Sequence, residues 1–243
     1  MKARWIGCAL ASAVIALGTQ AAASAAPGPT TSTAPPGAEA DRVGPLFSGP
    51  VAPGKHFCTA SVIDSPTGDL LVTAAHCVSS PDGVVFAPGY RNGKAPYGAW
   101  RIVEVFETSG WHKNANQDQD FAFLRVAPDS EGRPIESVVG GIPLGVDESL
   151  HETVRLYGYP ARSELPLLCT NVTTAFTAHQ RRIDCPAYTG GTSGGPWVSE
   201  STGSVVGVIG GYQQGGDTAD VSYSAAFGDT IADLYVSAVF SDR

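Results

Sequence analysis

A glycine-rich heptapeptide, GTSGGPW at residues 191–197, surrounds a single serine, Ser193. Glycine loses more backbone entropy on ordering than any other residue, so clustered glycines indicate that a backbone is approached closely. A nucleophilic serine needs an exposed Oγ, with N–H groups directed at the oxygen that becomes negative during acyl transfer. The heptapeptide is therefore typical of an acyl-transfer site. The alternative is a glycine-rich turn that contains an incidental serine.

Two upstream segments carry groups that could activate such a serine. The sequence TAAHC at 73–77 places His76 at the end of the apolar run Leu70–Ala74, and Asp120 directly precedes the apolar run FAFL at 121–124. A histidine can act as a general base, and a carboxylate can orient it. Taken singly, His76 could be a structural residue and Asp120 could cap a turn. Asp118 is a second candidate acid.

Together, these segments resemble the chymotrypsin-like (trypsin-like) serine peptidases, particularly secreted bacterial members. The resemblance rests on TAAHC at 73–77, DFAFL at 120–124, GTSGGP at 191–196 and CTASVI at 58–63, and it extends over roughly residues 43–240. It implies an all-β fold of two six-stranded antiparallel β-barrels with a C-terminal α-helix, with the catalytic groups between the barrels.

The resemblance also implies a role for each matching residue. Ser193 is the nucleophile, His76 the general base, and Asp120 the acid that orients the imidazole. Asp120 is favoured over Asp118 because it alone directly precedes the apolar run. The backbone N–H groups of Gly191 and Ser193 match the oxyanion hole of the family.

Thr192 departs from the family pattern, in which an aspartate precedes the nucleophile and pairs with a newly cut N-terminal ammonium. Cleavage after Arg42 would expose Val43-Gly44, which looks like a family activation site, yet the neutral Thr192 cannot form that ion pair. We expect local hydrogen bonds, formed in part by the Thr192 hydroxyl, to order the oxyanion hole instead. Extra residues before Val43 should then leave activity largely intact.

The specificity pocket implied by the resemblance lacks an acid. Its floor falls at Ala187, and its wall falls around Gly210, Gly211 and Tyr212, with Tyr188 and Tyr212 as side chains that could narrow it. A buried cationic side chain would find no partner there, which argues against selectivity for Lys or Arg. A small or apolar side chain before the scissile bond is favoured.

The ends and overall composition indicate an exported protein. Residues 1–25 read as a signal peptide, residues 26–42 as a flexible pro-segment or linker, and residues 43–243 as the peptidase domain, with its inter-barrel boundary near 130–143. Removal of residues 1–25 takes away Lys2 and Arg4, so the formal charge changes from −8 to −10. That charge argues against binding to nucleic acid or anionic lipid.

Four cysteines remain in the mature chain, which favours two disulfides in an exported protein. Among the three possible pairings, Cys58–Cys77 and Cys169–Cys185 close the shortest loops. A zinc site built from all four is the alternative, but no CxxC pair is present. We expect no metal or organic cofactor. The expected partners are polypeptide substrates and a proteinaceous inhibitor, with no nucleic acid or membrane, and the chain is expected to be a monomer.

Short strand-like runs separated by turn signals fill the predicted domain, and one amphipathic helix is predicted from Asp229. The remaining histidines (His56, His112, His151 and His179) have no motif context and are expected at the surface. Two further functions are considered beside the endopeptidase. One is a catalytically silent homologue that acts as a binding protein, and the other is an esterase that uses the same triad.

Overall fold

The computed structural model describes residues 1–3 and 28–241. The predicted signal peptide, residues 1–25, therefore lies almost wholly outside the described residues. Within the described part, no helix is long and apolar enough to cross a membrane.

The first half of the domain is a closed antiparallel barrel of six strands, in the spatial order β2-β3-β4-β7-β6-β5. Its strands are β2 (Val43–Ser48), β3 (His56–Val62), β4 (Leu70–Thr73), β5 (Val84–Phe86), β6 (Trp100–Glu107) and β7 (Ala122–Val126). Leu71 and Leu124 pack inside the barrel, whereas Val72 and Phe123 pack into a second core that also includes the C-terminal helix. Because both faces of β4 and β7 are buried, their sequences are continuously apolar rather than alternating.

The second half contains the remaining strands, which pair as two sheets rather than as one closed six-stranded barrel. Its sheets have the orders β1-β9-β8-β12-β13 and β10-β11-β14. The strands are β1 (Thr31–Thr33), β8 (Thr153–Gly158), β9 (Leu167–Val172), β10 (Thr174–Thr177), β11 (Gln180–Asp184), β12 (Pro196–Ser199), β13 (Val205–Val208) and β14 (Val221–Ala225). The predicted single strand Thr170–Ala175 is divided between β9 and β10 at the buried Thr173.

Residues 31–42, here called the N-terminal arm, are not the flexible linker that their composition predicted. β1 pairs antiparallel with β9, and the helical turn α1 (Ala38–Asp41) follows it. Both carboxylate oxygens of Glu39 accept hydrogen bonds from Arg155 at 2.8 Å, and the hydroxyl of Tyr157 donates to the same group at 2.7 Å. Strand β9 provides a sheet edge for the backbone of β1, and Arg155 on β8 provides a positive charge for Glu39. These two contacts fix the polar arm on the second half.

The other α-helices are α2 (Ser109–Asn114), α3 (Glu136–Val139) and α4 (Asp229–Phe240). Helix α4 was predicted from its spacing, although Gly228 rather than Asp229 is its N-cap residue. Helix α3 lies in the predicted inter-barrel connection. Three 3₁₀ turns cover Ala75–Cys77, Gln117–Gln119 and Tyr212–Gly215. The first turn carries His76, and the second ends directly before Asp120.

The cysteines form the disulfides Cys58–Cys77 and Cys169–Cys185, with Cα–Cα distances of 6.2 and 6.0 Å. The first disulfide fastens strand β3 to the 3₁₀ turn that carries His76. The second joins β9 to the residue after β11, so it connects the two sheets of the second half. The zinc alternative is excluded for these cysteines, because disulfide sulfurs are not thiolate ligands.

Candidate active site

His76 and Asp120 meet between the two halves of the domain. The Nδ1 of His76 lies 2.8 Å from Asp120 Oδ2, and the backbone N–H of His76 donates to Asp120 Oδ1 at 2.9 Å. The carboxylate is fully buried, and Gly211 donates its N–H to Oδ2 at 2.8 Å. An ionised carboxylate only accepts hydrogen bonds, so this contact places the imidazole proton on Nδ1 and leaves Nε2 as the free acceptor.

Asp118, the alternative acid, is occupied elsewhere. Its Oδ1 accepts a hydrogen bond from the buried side chain of Gln180 at 2.8 Å. The two acids are separated by one residue at the end of a 3₁₀ turn, so their side chains leave the chain in different directions. The structure thus brings Asp120 to the histidine and takes Asp118 to strand β11.

Ser193 lies in the loop before β12. This loop packs against strands β3 and β4 of the barrel, and His76 follows β4. Its carbonyl oxygen accepts from the N–H of Thr59 at 2.7 Å, and Gly194 N–H donates to Ile209 at 2.7 Å. Gly194 has a φ of +79°, and a side chain there would collide with Thr73 and Thr59. Glycine is required at this position by both backbone conformation and space. The serine itself remains half-exposed beside a cavity.

The Gly190–Gly191 and Thr192–Ser193 peptide groups are oriented by their carbonyl oxygens. Gly190 C=O accepts from Ala161 N–H at 2.8 Å, and Thr192 C=O accepts from Gly195 N–H at 2.9 Å. In a planar trans peptide the next N–H points away from the carbonyl. The N–H groups of Gly191 and Ser193 are therefore turned away from those partners, and neither donates to another group in the part of the chain that the structure describes. Two unused backbone donors beside Ser193 suit a developing oxyanion.

Gly191 is also constrained by space. Its φ is +99°, and a side chain would collide with the backbone of Tyr159 and Ala161. The loop thus packs directly on the segment after β8. Glycine is required at this position, because the side chain of any other residue would displace the peptide that carries the Gly191 N–H.

Thr192 forms the local hydrogen bonds that its position suggested. Its hydroxyl donates to Thr189 C=O at 2.8 Å, and its N–H donates to the same oxygen at 3.2 Å. The side chain is buried. Val43, in contrast, is the first residue of β2 and pairs with Ser61, while Arg42 C=O accepts from Val62 N–H. The residues on both sides of the Arg42–Val43 bond thus pair with strand β3, unlike those of an exposed processing loop.

A cavity of about 260 Å³ opens beside Ser193. It is lined mainly by residues 188–193 and 214–219, with Ile209 and Ser222. Of the predicted pocket residues, Tyr188 lines it, and burial raises the pKa of that phenol, whose hydroxyl donates to Leu156 C=O at 2.5 Å. The side chain is thus anchored in the second half.

Four predicted pocket residues do not line this cavity. Ala187 is exposed, and Tyr212 packs against Phe176 and Tyr223. Gly211 donates its N–H to the Asp120 carboxylate. Gly210 also lies against Asp120, since a Cβ atom at position 210 would be 2.9 Å from the Asp120 carbonyl oxygen. The chain turns away at Gly211, so the expected wall moves to residues 214–216.

Several contributors to the site were missed by the sequence. Asp217 lines the cavity and accepts a hydrogen bond from Gln213, although no acid was expected there. His56, expected at the surface, is buried, and its Nε2 donates to Pro160 C=O at 2.9 Å. His112, His151 and His179 are exposed. The burial of His56 depends on a contact with Pro160, 104 residues away, which no local motif signals.

The described residues contain one group with metal-ligand spacing, formed by Cys58, His76 and Cys77. The two cysteines are joined in a disulfide and His76 is bound to Asp120. This group is therefore unsuited to a metal.

A protein-family model described as a trypsin-like peptidase domain matches residues 58–208. The chain belongs to the trypsin-like peptidase family. It is a serine endopeptidase of chymotrypsin-like fold, mostly β, with a closed six-stranded barrel and a C-terminal helix. No curated protein sequence matches this trypsin-like peptidase.

Solved structures resemble the peptidase over nearly its whole length. The protease Anisep from Arthrobacter nicotinovorans has 25% identity and a TM-score of 0.74, covering 87% of this chain and 100% of that one. The thermostable serine protease AL20 from an extremophilic microorganism has 24% identity and a TM-score of 0.73, covering 85% and 100%. Human heparin binding protein shares the fold at 15% identity and a TM-score of 0.63, covering 88% and 96%.

Proposed function

We propose that this peptidase is a secreted enzyme that cleaves peptide bonds with a triad of His76, Asp120 and Ser193 through an acyl-enzyme. The observation that carries the proposal is the buried Asp120 carboxylate, which accepts from both His76 Nδ1 and the His76 backbone. A carboxylate held by such donors keeps an imidazole in one tautomer and stabilises its protonated form. That is the task of the third member of a triad.

In the proposed reaction, Ser193 Oγ attacks the scissile carbonyl while His76 Nε2 accepts the hydroxyl proton. The tetrahedral oxyanion is bound by the N–H groups of Gly191 and Ser193. The imidazolium then gives its proton to the leaving amine, and the acyl-enzyme forms. Water repeats the sequence and releases the acid. The supporting geometry is the pair of oriented peptides around Thr192.

The cavity beside Ser193 favours a neutral side chain before the scissile bond. Its deeper lining includes Ile209 and the buried Ser222, which are uncharged. The single acid of the lining, Asp217, is exposed at the mouth and is already hydrogen-bonded to Gln213. A buried Lys or Arg would still lack a partner at depth. A small or medium neutral residue is therefore the proposed preference.

Secretion is proposed from the predicted signal peptide together with the two disulfides, since disulfides persist in oxidising compartments. We further propose that the secreted enzyme is a monomer. Its partners would be polypeptide substrates and a proteinaceous inhibitor. Nucleic acid is not a proposed partner, because the formal charge of the chain is −8.

A second candidate, a silent homologue that binds rather than cleaves, is favoured by one observation: a fold relative is named as a heparin binding protein. The negative charge of this chain argues against binding a polyanion such as heparin. All three triad candidates are also present. An esterase that uses the same triad is the remaining alternative.

Digestion of a diverse peptide library tests the proposal. The mature protein and its Ser193→Ala variant are incubated separately with the library, and the products are sequenced by mass spectrometry. We expect Ser193-dependent cleavage after neutral residues. Ester hydrolysis without peptide cleavage would favour the esterase, no turnover would favour the silent homologue, and cleavage confined to Lys or Arg would overturn the proposed preference.

A further inference from the structure

We propose that Thr59 is the positioning residue of the oxyanion hole. Its side chain and its backbone hold the two segments that carry the N–H groups of Gly191 and Ser193. The inference rests on the proposed function, and it names a residue on the opposite barrel that no motif assigns to this task.

Thr59 contacts the nucleophile loop through two separate groups. Its hydroxyl donates to Gly191 C=O at 2.9 Å, and its N–H donates to Ser193 C=O at 2.7 Å. The residue is completely buried. The carbonyl oxygens of both hole residues are therefore bound by one residue of strand β3.

The same hydroxyl also holds the segment on the other side of the hole. It accepts a hydrogen bond from Tyr159 N–H at 2.9 Å, and two residues later Ala161 N–H donates to Gly190 C=O at 2.8 Å. Because the Gly190–Gly191 peptide is planar, fixing that carbonyl fixes the direction of the Gly191 N–H. The Thr59 hydroxyl thus links both segments that determine how this donor points.

Thr59 is itself rigidly held near the histidine. Its carbonyl oxygen accepts from the Thr73 hydroxyl at 2.8 Å, and its neighbour Cys58 is disulfide-bonded to Cys77, the residue after His76. Strand β3 therefore connects the general base to the oxyanion hole. A site supported by a strand is positioned more accurately than one supported by loops alone.

The hydroxyl is required because it acts as donor and acceptor at once. Valine has a similar shape but would leave Tyr159 N–H and Gly191 C=O buried without partners. Those groups would then relax toward other partners, and the direction of the Gly191 N–H would change. The Thr192 side chain cannot replace the lost hydrogen bonds of the Thr59 hydroxyl, because it is neutral and its own hydroxyl is bound to Thr189.

The test compares pairs of variants that differ only in the hydroxyl. The first pair is the wild type and Thr59→Val, and the second is Thr59→Ser and Thr59→Ala. The Thr173→Val variant is the matched control, because Thr173 is also fully buried and its hydroxyl also bridges backbone groups, of Leu150 and Glu152, away from the loop. Each variant is measured for kcat, KM, melting temperature and binding of a peptide boronate, which forms a tetrahedral adduct.

We expect Thr59→Val to lower kcat by about 30-fold with KM changed less than about threefold, since a hole donor is used mainly in the transition state. Boronate affinity should fall in parallel with kcat. Thr59→Ser should keep most of the activity, and Thr59→Ala should lose it. This second pair still tests the role of the hydroxyl if Thr59→Val fails to fold. Thr173→Val should lose stability while kcat is unchanged.

If the wild type is active and kcat is equal for the two members of each pair, the role of Thr59 would be overturned. The proposed function would remain intact. A loss of kcat in Thr173→Val as large as that in Thr59→Val would also overturn it, since destabilisation alone would then explain the effect. An inert wild type would overturn the proposed function and this role together.

Discussion

At the scale of single residues, Asp120 is distinguished from Asp118 by its partners rather than by its type. Three donors converge on Asp120: the His76 imidazole, the His76 N–H and the Gly211 N–H. Hydrogen bonds to a carboxylate are stronger than those between neutral groups, and three of them offset the cost of burying this side chain. Asp118 receives one such bond, from Gln180.

Replacement of the two acids separates their roles. Asp120→Asn should lower kcat by about 10⁴-fold, because an amide that donates to Nδ1 favours the wrong imidazole tautomer. Asp118→Asn keeps an acceptor for Gln180 and should lower kcat by less than about tenfold. Steady-state hydrolysis of a chromogenic peptide measures both, and a larger loss for Asp118→Asn than for Asp120→Asn would contradict the assignment.

The sequence could predict residues whose neighbours form a motif, and it failed where a role depends on distant contacts. His76, Asp120 and Ser193 were predicted from the segments that flank them, and the structure brings His76 and Asp120 into contact. Thr59 was visible in CTASVI, yet its hydroxyl acts on Gly191, 132 residues away. Nothing local indicates such a partner.

At the scale of elements, the N-terminal arm connects the two halves of the domain. β1 extends the sheet of the second half through β9, while Asp41 accepts from the hydroxyl of Tyr97 in the first half. Glu39 has a lowered pKa: burial alone would raise it, but hydrogen bonds from Arg155 and Tyr157 outweigh that effect. The arm was missed because its sequence has no periodicity and contains Pro35, Pro36 and Gly37 in succession, which is typical of a linker.

The ion pair of Glu39 should make stability depend on pH. Since its pKa is lowered from an ordinary value of 4.5, its contribution is present above that pH and is lost as the pH falls through the folded-state pKa. Glu39→Gln should lower Tm by about 2–4 °C near pH 7 and lose less further stability on acidification than the wild type. Thermal melts from about pH 7 to 3 measure this dependence.

The matched control for that experiment is Glu131→Gln, at an exposed carboxylate beside Arg133. Exposed ion pairs contribute little, so its Tm curve should follow that of the wild type. Parallel curves for Glu39→Gln and the wild type would show that the arm is not held by this pair.

Strand prediction succeeded where burial dictates composition. β4 and β7 were recognised as apolar runs because each is covered on both faces. β14, with the sequence VSYSA, was missed because its small hydroxylated residues resemble a loop. Two of them, Ser222 and Ser224, are nevertheless buried. β1 is fixed by pairing with β9, which its own residues do not encode.

At the scale of the whole molecule, the site is assembled from both halves. For the proposed site, the first half supplies His76, Asp120 and Thr59, and the second supplies Ser193, the hydrogen-bonded peptides next to Gly191 and Ser193, and the cavity. The resemblance implied two six-stranded antiparallel β-barrels. The first is a closed barrel, whereas the second half pairs as sheets of five and three strands. The division between β9 and β10 at Thr173 separates these two sheets, and β1 adds a strand to the larger one.

The most direct test of a serine endopeptidase that acts through Ser193 is covalent labelling of that residue. The mature protein and Ser193→Ala are treated with a fluorophosphonate, and intact mass spectrometry with peptide mapping locates the adduct. We expect one adduct per chain, on Ser193, and none in the variant. An unmodified wild type, or equal labelling of Ser193→Ala, would contradict it.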